Sequence, residues 1–237
     1  MKIILDVMGA DKPASELIRG AILAKEEYGT DIVLVGNESV IREALAEEQA
    51  SEGSFEIVHA DDVVTMEDDP MSIFQTHKEA SMAKTLRLVA EGYGDAAVSA
   101  GNTGAYFTGA TLIVKRIRGI RRAALGTILP YASPVLLLDC GANVTVSADY
   151  LAQFACLGSV YMEKVFGIES PRVGLVNNGT EEHKGTPLYV EAHRLLKDMK
   201  EINFIGNIEG KEFPYGKCEV LVCDGFTGNM LLKMYEG

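Results

Sequence analysis

The chain has 237 residues, of which 47% are hydrophobic and 24% are charged, and 34 acidic residues against 22 basic ones give a net charge of -12. A chain of this length can bury a core as one large domain or two small ones. The negative charge argues against a general electrostatic surface for nucleic acid or anionic lipid, so any anion must be bound locally. No apolar run reaches membrane-spanning length, and the first residues are not typical of a signal peptide.

Eight short apolar runs alternate along the chain with longer segments of helical period. In chain order they read KIILD, DIVLV, FEIVHA, DAAVSA, PVLLLD, RVGLV, NFIG and EVLVCD. Helices are predicted at 15–28 and 149–166, each followed by a glycine that would end it, and 38–48 is an amphipathic segment predicted to pack on the sheet. Because the runs are apolar on both faces and joined by helices, we predict an α/β protein with a largely parallel sheet, a three-layer α/β/α sandwich forming a single domain over 1–237.

The cysteines and the acidic stretch 60–69 give no metal signature. Cys140, Cys156, Cys218 and Cys223 contain no C-x-x-C pair and lie in apolar surroundings. This pattern favours reduced thiols in the cytoplasm over disulfides or zinc ligands. The acidic stretch lacks histidine and a regular D-x-D spacing, so it predicts a solvated surface loop, and neither a metal nor a cofactor is expected.

Polar, glycine-rich loops follow six of the predicted strands. They cover residues 6–11, 99–104, 139–143, 177–185, 206–210 and 224–229. Ligand sites in sheets of this kind form at the carboxyl ends of the parallel strands, where loops and helix N-termini converge. We therefore predict that the six loops line one pocket at one edge of the sheet.

The stretch VSAGNTGAYFTGA, residues 98–110, is the first candidate anion site. Its polar residues precede a helix predicted to begin near Thr103, and glycines there let a backbone with free N–H groups approach an oxyanion. The same residues also suit an ordinary helix cap with packing glycines, and the loop alone leaves both interpretations open. Neither G-x-x-x-x-G-K-[ST] nor G-x-G-x-x-G is present, so phosphate fits better than a dinucleotide.

The loop NNGTEEHKG is the second candidate. Lys184 lies among glycines and is a candidate for stabilising a phosphate or a developing oxyanion, and His183 beside it is a candidate acid or base. His59 and His193 lie in an apolar strand end and a helix, where core or surface roles are favoured. No serine or cysteine lies in a nucleophile elbow, so a reaction in which phosphate itself is the nucleophile agrees best with these residues.

Together the motifs Asp6-Val7-Met8-Gly9, SAGNTGA, the 179–185 loop and CDGFTGN resemble the bacterial phosphate acyltransferases of phospholipid synthesis, the PlsX family. The resemblance runs over the whole chain and implies a fold similar to phosphotransacetylases and isocitrate dehydrogenases. It also implies a reaction of acyl-[acyl carrier protein] with orthophosphate to give acyl-phosphate, in a cytoplasmic homodimer that contacts the inner membrane face. A membrane glycerol-3-phosphate acyltransferase would then be a partner.

The resemblance implies a role for each candidate site residue. Phosphate would lie on the 99–104 loop, formed in part by Ser99, Gly101, Asn102, Thr103 and Gly104, with Asn102 and Thr103 as donors. Lys184 would stabilise negative charge, and His183 or water would protonate the departing thiolate. The pocket would be shaped by the remaining positions, Asp6, Asn177, Asn207, Asp224 and Asn229.

The sequence departs from the family pattern at three places. Ala10 stands where the family usually has a second glycine, and one of the paired serines that follow a lysine is absent near Ser81. Family members also usually continue well past the position of Gly237, with helices linked to dimer contacts and membrane association, so the C-terminal end is expected to be shorter than the family's.

Two other functions remain open from the residues. One is a phosphotransacetylase-type enzyme that moves short acyl groups between coenzyme A and phosphate. The other is a non-catalytic protein that binds phosphate or acyl-phosphate. Basic clusters at 115–122 and 78–87 would suit an acidic carrier protein, or they are ordinary solvated charges. A nicotinamide-dependent oxidoreductase is disfavoured because the dinucleotide fingerprint is missing.

Overall fold

Strands and helices alternate along the chain in the computed structural model, which describes residues 1–51 and 53–236. The strands are β1 (Lys2–Asp6), β2 (Asp31–Gly36), β3 (Glu56–His59), β4 (Ala96–Ser99), β5 (Gly126–Leu129), β6 (Val135–Leu138), β7 (Arg172–Val176), β8 (Asn203–Ile208) and β9 (Val220–Val222). The α-helices are α1 (Ala14–Tyr28), α2 (Glu38–Glu47), α3 (Ser72–Gln75), α4 (Ser81–Ala90), α5 (Thr103–Gly109), α6 (Ala148–Phe166), α7 (Pro187–Asp198) and α8 (Gly225–Glu236). A π-helical turn (Ala110–Val114) follows α5, and a 3-10 turn (Gly210–Tyr215) follows β8.

Two compact units divide the chain, Met1–Arg116 and Ile117–Gly237. The first holds a four-stranded parallel sheet in the order β3-β2-β1-β4. The second holds a five-stranded sheet in the order β5-β6-β9-β7-β8, in which β5 runs antiparallel to β6 and the other pairs are parallel. The largely parallel arrangement is confirmed, but the strands form two sheets where one was predicted. The single domain over 1–237 stays a prediction.

In the first unit, helices cover both faces of the sheet. Ile32 and Leu34 of β2 pack with residues of α1 and α2. Val33 and Val35 point to the opposite face, where they pack with residues of α4. This alternation follows from the two-residue repeat of a strand and explains why β2 is apolar throughout.

In the second unit, the same alternation builds another three-layer core. Leu136 and Leu138 of β6 pack with residues of α6 and α7. Leu137 faces the other side, where Phe213 of the 3-10 turn and residues of α8 pack. The predicted three-layer sandwich is therefore confirmed.

The predicted helix ends agree with the structure. Gly29 after α1 and Gly167 after α6 have left-handed φ values of 60° and 67°, which a residue without a side chain adopts without strain. All eight predicted runs contain strands. The strand β5 was missed because its four residues, GTIL, begin with glycine and contain only two large apolar side chains, so no continuous apolar run marks it.

Residues 1–51 and 53–236 bear on the predictions made for membrane segments, metal ligands and thiols. No helix in this part of the chain is long and apolar enough to cross a membrane. The stretch 60–69 is a loop, as predicted, and its acidic side chains are exposed or half-buried. The described part of the chain contains no group of three metal-ligating side chains. Cys140, Cys218 and Cys223 are buried free thiols, and burial raises the pKa of Cys218 to about 12.

Candidate functional site

Asp6 and Ser99 form a hydrogen-bonded pair at the carboxyl ends of neighbouring strands. They lie opposite each other in the register of β1 and β4, and Ser99 Oγ donates to Asp6 Oδ2 at 2.8 Å. Asp6 is only 1% exposed, and this burial raises the pKa of its carboxyl although the hydroxyls of Ser81 and Ser99 lower it. The hydroxyl hydrogen of Ser99 is thus directed at Asp6, and Asp6 orients the start of the 99–104 loop.

Asn102 is the N-cap of α5 and also anchors a distant loop. Its Oδ1 accepts from the N–H of Ala105 at 3.0 Å. Its Nδ2 lies 3.0–3.3 Å from the carbonyl oxygens of Thr65, Met66 and Asp68, which share its two hydrogens. The helix-cap interpretation is therefore confirmed, and the side chain ties the acidic 65–68 loop to the start of α5. Its role as a phosphate donor stays a prediction.

Glycines of the 99–104 and 6–11 loops allow close packing of the backbone. A Cβ atom at Gly104 would lie 2.9 Å from Pro70 Cγ, and one at Gly9 would lie 2.4 Å from the carbonyl oxygen of Val64. Gly9 also has a φ of 71°, whereas Ala10 does not have a positive φ, so the alanine is accommodated without strain. Within the described residues, the N–H groups of Thr103 and Gly104 make no hydrogen bond, as is usual for the first turn of a helix.

The other four loops belong to the second unit. They follow β6, β7, β8 and β9, which run parallel and therefore end at the same edge of the five-stranded sheet. The prediction that all six loops share one sheet edge is wrong, because two of them follow strands of the first sheet. Local strand propensity does not reveal which strands pair, so the division was not visible in the sequence.

Lys184 lies on a loop that the side-chain amides of half-buried Asn177 and buried Asn207 hold in place. Asn177 Nδ2 donates to the carbonyl of Lys184 at 3.0 Å, and Asn207 Nδ2 donates to that of Glu181 at 2.8 Å. A Cβ atom at Gly179 would lie 2.9 Å from Lys184 Cγ, so the glycine lets the lysine stem pack on the loop. Within the part of the chain that the structure describes, the Lys184 ammonium has no hydrogen bond or ion pair. Its charge is therefore available to an anion.

Asp224 is fixed by two hydroxyl groups. Tyr189 Oη donates to Asp224 Oδ2 at 2.5 Å and Thr227 Oγ1 donates to the same oxygen at 2.8 Å, while the Thr227 N–H caps α8 through Oδ1 at 2.9 Å. Burial raises the pKa of Asp224, but these hydrogen bonds outweigh it and leave the pKa below its ordinary value. Burial and the adjacent carboxylate raise the pKa of Tyr189. The pair is thus a carboxylate with a neutral phenol as its donor.

A cavity of about 570 Å³ lies beside this pair in the second unit. It is lined by Val176, Asn177, Asn178, Gly185, Thr186, Tyr189, Gly210, Thr227 and Leu231. The lining thus combines residues from the loops after β7 and β8 with residues of α7 and α8. Its amide and hydroxyl groups are neutral and most of its accessible surface is apolar, so it is an uncharged, mainly apolar recess.

Asp139 organises the loop after β6, on which α8 rests. It is fully buried, and its carboxylate accepts five hydrogen bonds from the N–H groups of the surrounding loops at 2.7–3.1 Å. A Cβ atom at Gly228 would lie 1.9 Å from the Asp139 carbonyl oxygen, and Gly225 N donates to the Asn143 carbonyl at 2.8 Å. The glycines of CDGFTGN therefore let the first turn of α8 contact this loop directly.

The structure brings only some of the predicted pocket residues together. Asn177, Lys184 and Asn207 are linked through one loop, and Asp224 lies next to the cavity that Asn177 lines. Asn229 is exposed on α8 and faces Gly141 instead. His183 is exposed and makes no hydrogen bond within the described residues. Its acid or base role stays a prediction.

Sequence reasoning missed Tyr189 and Thr227 as partners of Asp224, and it missed the five-donor environment of Asp139. Thr227 had a recognisable signal, since an aspartate three residues before a threonine at a helix start is typical of an N-cap. Tyr189 had none, because an aromatic residue in an amphipathic helix looks like ordinary core.

Solved structures share this architecture. The phosphotransacetylase of Streptococcus pyogenes superimposes with a TM-score of 0.73 at 19% identity and covers 100% of this chain and 81% of that chain. EutD phosphotransacetylase of Staphylococcus aureus gives 0.70 at 18% identity, with the same coverage. At these identities the likeness concerns the fold. The strand order and the strand-end loops thus define an α/β protein with the phosphotransacetylase fold.

Sequence comparisons are more specific. The model of a family described as fatty acid synthesis protein matches residues 1–237. The phosphate acyltransferase of Desulforamulus reducens is 46% identical over 238 residues, which cover 100% of this chain and 71% of the relative, and that of Clostridium novyi is 43% identical over 239 residues, covering 100% and 72%. The chain belongs to this family, the PlsX phosphate acyltransferases. The predicted resemblance is confirmed, and the protein is an acyltransferase.

Proposed function

We propose that the protein transfers a fatty acyl group from acyl-[acyl carrier protein] to orthophosphate, giving acyl-phosphate for phosphatidic acid synthesis. The observation that carries the proposal is the match to phosphate acyltransferases over the whole chain at 43–46% identity. Phosphate as the nucleophile also agrees with the lack of a nucleophile elbow in the sequence.

The 99–104 loop is proposed to hold the phosphate. Two N–H groups at the start of α5, those of Thr103 and Gly104, are unpaired within the helix and lie at its positive end. Thr103 is exposed, so its hydroxyl is accessible as a further donor. Asn102 is engaged with the 65–68 carbonyls, and we propose that it acts mainly by holding the loop in its binding conformation.

Lys184 is proposed to stabilise the negative charge that develops during transfer. A phosphate oxygen attacks the thioester carbonyl carbon, the carbonyl oxygen gains charge, and the C–S bond then breaks as the carbonyl re-forms. The hydrogen that hydrogen phosphate brings ends on the departing sulfur, through His183 or water. An ammonium without another partner suits this role, because a preorganised positive charge needs no reorganisation during the reaction.

The test follows acyl-phosphate directly, with acyl carrier protein thioester and phosphate as substrates. We expect Lys184→Ala to lower kcat by about 10²–10³-fold, the usual effect of removing one oxyanion-stabilising group. Lys200→Ala is the matched control, because Lys200 is exposed in the same unit, outside the loop that carries Lys184. Near-normal turnover of Lys184→Ala would overturn the role of Lys184, and a wild-type protein that binds phosphate without forming acyl-phosphate would overturn the function.

The finer parts of the proposal concern the donor and the assembly. Palmitoyl-carrier protein and acetyl-coenzyme A are compared as donors, since faster use of the latter would indicate a phosphotransacetylase-type enzyme. In the basic cluster at 78–87, Arg87 pairs with Glu79. In the cluster at 115–122, Arg118 and Arg122 are exposed cations that would suit an acidic carrier. A homodimer in the cytoplasm, with a membrane glycerol-3-phosphate acyltransferase as the consumer of acyl-phosphate, completes the proposal.

A further inference from the structure

A buried histidine lies behind the loop that carries Lys184. His193, on α7, is 5% exposed, and its ring packs against that of Phe204 at 5.2 Å between centroids and an angle of 75°. Its Nδ1 lies 2.9 Å from Oδ1 of Asn207, which is also 5% exposed. Of the core and surface roles that the sequence left open, the imidazole takes the core one, and it has a defined polar partner.

The direction of this hydrogen bond follows from the contact that the side-chain nitrogen of Asn207 makes. Its Nδ2 lies 2.8 Å from the carbonyl oxygen of Glu181, and a carbonyl oxygen can only accept. The amide is therefore oriented with its nitrogen toward Glu181 and its oxygen toward the imidazole. His193 must then carry a hydrogen on Nδ1 and donate it to Asn207.

The connection continues to Lys184. The Glu181 carbonyl, which accepts from Asn207, also accepts the N–H of Lys184 at 3.0 Å. The Lys184 carbonyl accepts from Asn177 Nδ2 at 3.0 Å. Both ends of the turn at 181–184 are thus tied to side chains at the carboxyl ends of β7 and β8. The conformation of this turn determines where the lysine stem leaves the backbone.

We propose that His193 is a positioning residue for Lys184. Its Nδ1–H holds the Asn207 amide in one orientation, and Asn207 holds the turn from which Lys184 projects. The inference rests on the proposed role of Lys184 in acyl transfer. A histidine that merely filled space in the core would act through its ring, whereas a positioning histidine acts through its donor.

Two substitutions separate the ring from the donor. His193→Phe keeps an aromatic ring and removes the donor, whereas His193→Asn loses the ring but places an amide N–H near the position of Nδ1. We expect His193→Phe to lower kcat about ten- to hundredfold, because small displacements of a catalytic group have effects of this size. We expect His193→Asn to retain kcat within about threefold, with little change in the KM for the acyl donor in either variant. Equal losses in the two variants, or normal kcat in His193→Phe, would overturn the proposal.

Leu196→Ala is the control for a general loosening of α7. Leu196 is fully buried on the same helix and takes no part in the hydrogen bonds, so this variant should lose stability and keep kcat. If Leu196→Ala lowers kcat as much as His193→Phe, the effect is one of packing and the proposal fails.

A measurement without turnover distinguishes this inference from the proposed function. Hydrogen exchange of the 177–186 segment should be faster in His193→Phe than in the wild type, His193→Asn and Leu196→Ala. Unchanged exchange in His193→Phe overturns the inference even in an active enzyme. A wild-type protein that forms no acyl-phosphate overturns the proposed function, and the exchange measurement then still tests whether the histidine holds the turn.

Discussion

Replacing Asp139 by asparagine tests the hydrogen-bond network beneath α8. The Asp139 carboxylate is fully buried and accepts from the N–H groups of Leu125, Gly141 and Ala142 through Oδ1, and from the N–H and Nδ2 of Asn143 through Oδ2. Asparagine keeps one acceptor oxygen and has an NH₂ group in place of the other. Depending on how the amide is oriented, the NH₂ group faces the two donors that Oδ2 accepts or the three that Oδ1 accepts, and these donors lose their acceptor. Each buried donor left unpaired costs about 1–3 kcal/mol, which gives a loss of about 2–6 kcal/mol from the smaller set.

Urea unfolding followed by circular dichroism measures this loss. Asp149→Asn makes the same chemical change at an exposed position, where the carboxylate lies 3.7 Å from Arg121 and 64% of the side chain is accessible. A surface ion pair of this kind contributes about 0–1 kcal/mol, so the control should change the free energy of unfolding by no more than that. If Asp139→Asn falls within about 0.5 kcal/mol of the wild type, the carboxylate does not organise the loop and the reasoning is wrong.

Two further predictions concern stability. Gly228→Ala places a Cβ atom 1.9 Å from the Asp139 carbonyl oxygen and should lower the free energy of unfolding by about 1–3 kcal/mol or more. Gly20→Ala on α1, where a Cβ atom would have no neighbour within 4 Å, should raise the free energy of unfolding by about 0.5–1 kcal/mol. Equal urea midpoints of the two variants would contradict both expectations. Because burial raises the pKa of Asp6 above its ordinary 3.8, the folded protein binds this proton up to a higher pH than the unfolded chain does, so stability falls as the pH rises above 3.8 and Asp6 ionises. Asp6→Asn should flatten this decline in urea midpoints above pH 3.8, and an unchanged slope would refute this assignment.

The sequence predicted those features that are local. Gly29 and Gly167 marked the ends of α1 and α6 because the left-handed conformation there suits a residue without a side chain. The apolar runs predicted the strands because buried parallel strands are apolar on both faces. Strand partners are not encoded in this way. The pairing of β1 with both β2 and β4 depends on packing of distant segments, so the division into two sheets became visible only in the structure.

The candidate site shows the same limit. The sequence left Asn102 open as a helix cap or a phosphate ligand, and nothing in it indicated that the Asn102 Nδ2 holds the carbonyl of Thr65, 37 residues away. Lys184 was singled out by its glycine-rich loop, whereas the support behind it comes from Asn207 and His193 on other elements. A histidine in an amphipathic helix gives no sequence signal for the donor role, because its partner is determined by the tertiary structure.

Each sheet is built from one continuous half of the chain, since every strand pairing of the first lies within Met1–Arg116 and every pairing of the second within Ile117–Gly237. During synthesis, the first half therefore has all its strand partners before the second half has left the ribosome. At about 5–20 residues per second, the remaining residues take about 6–24 s to be added. This interval is long compared with the folding of most small domains, so the loop at 99–104 can be in place while the segment carrying Lys184 is still being translated.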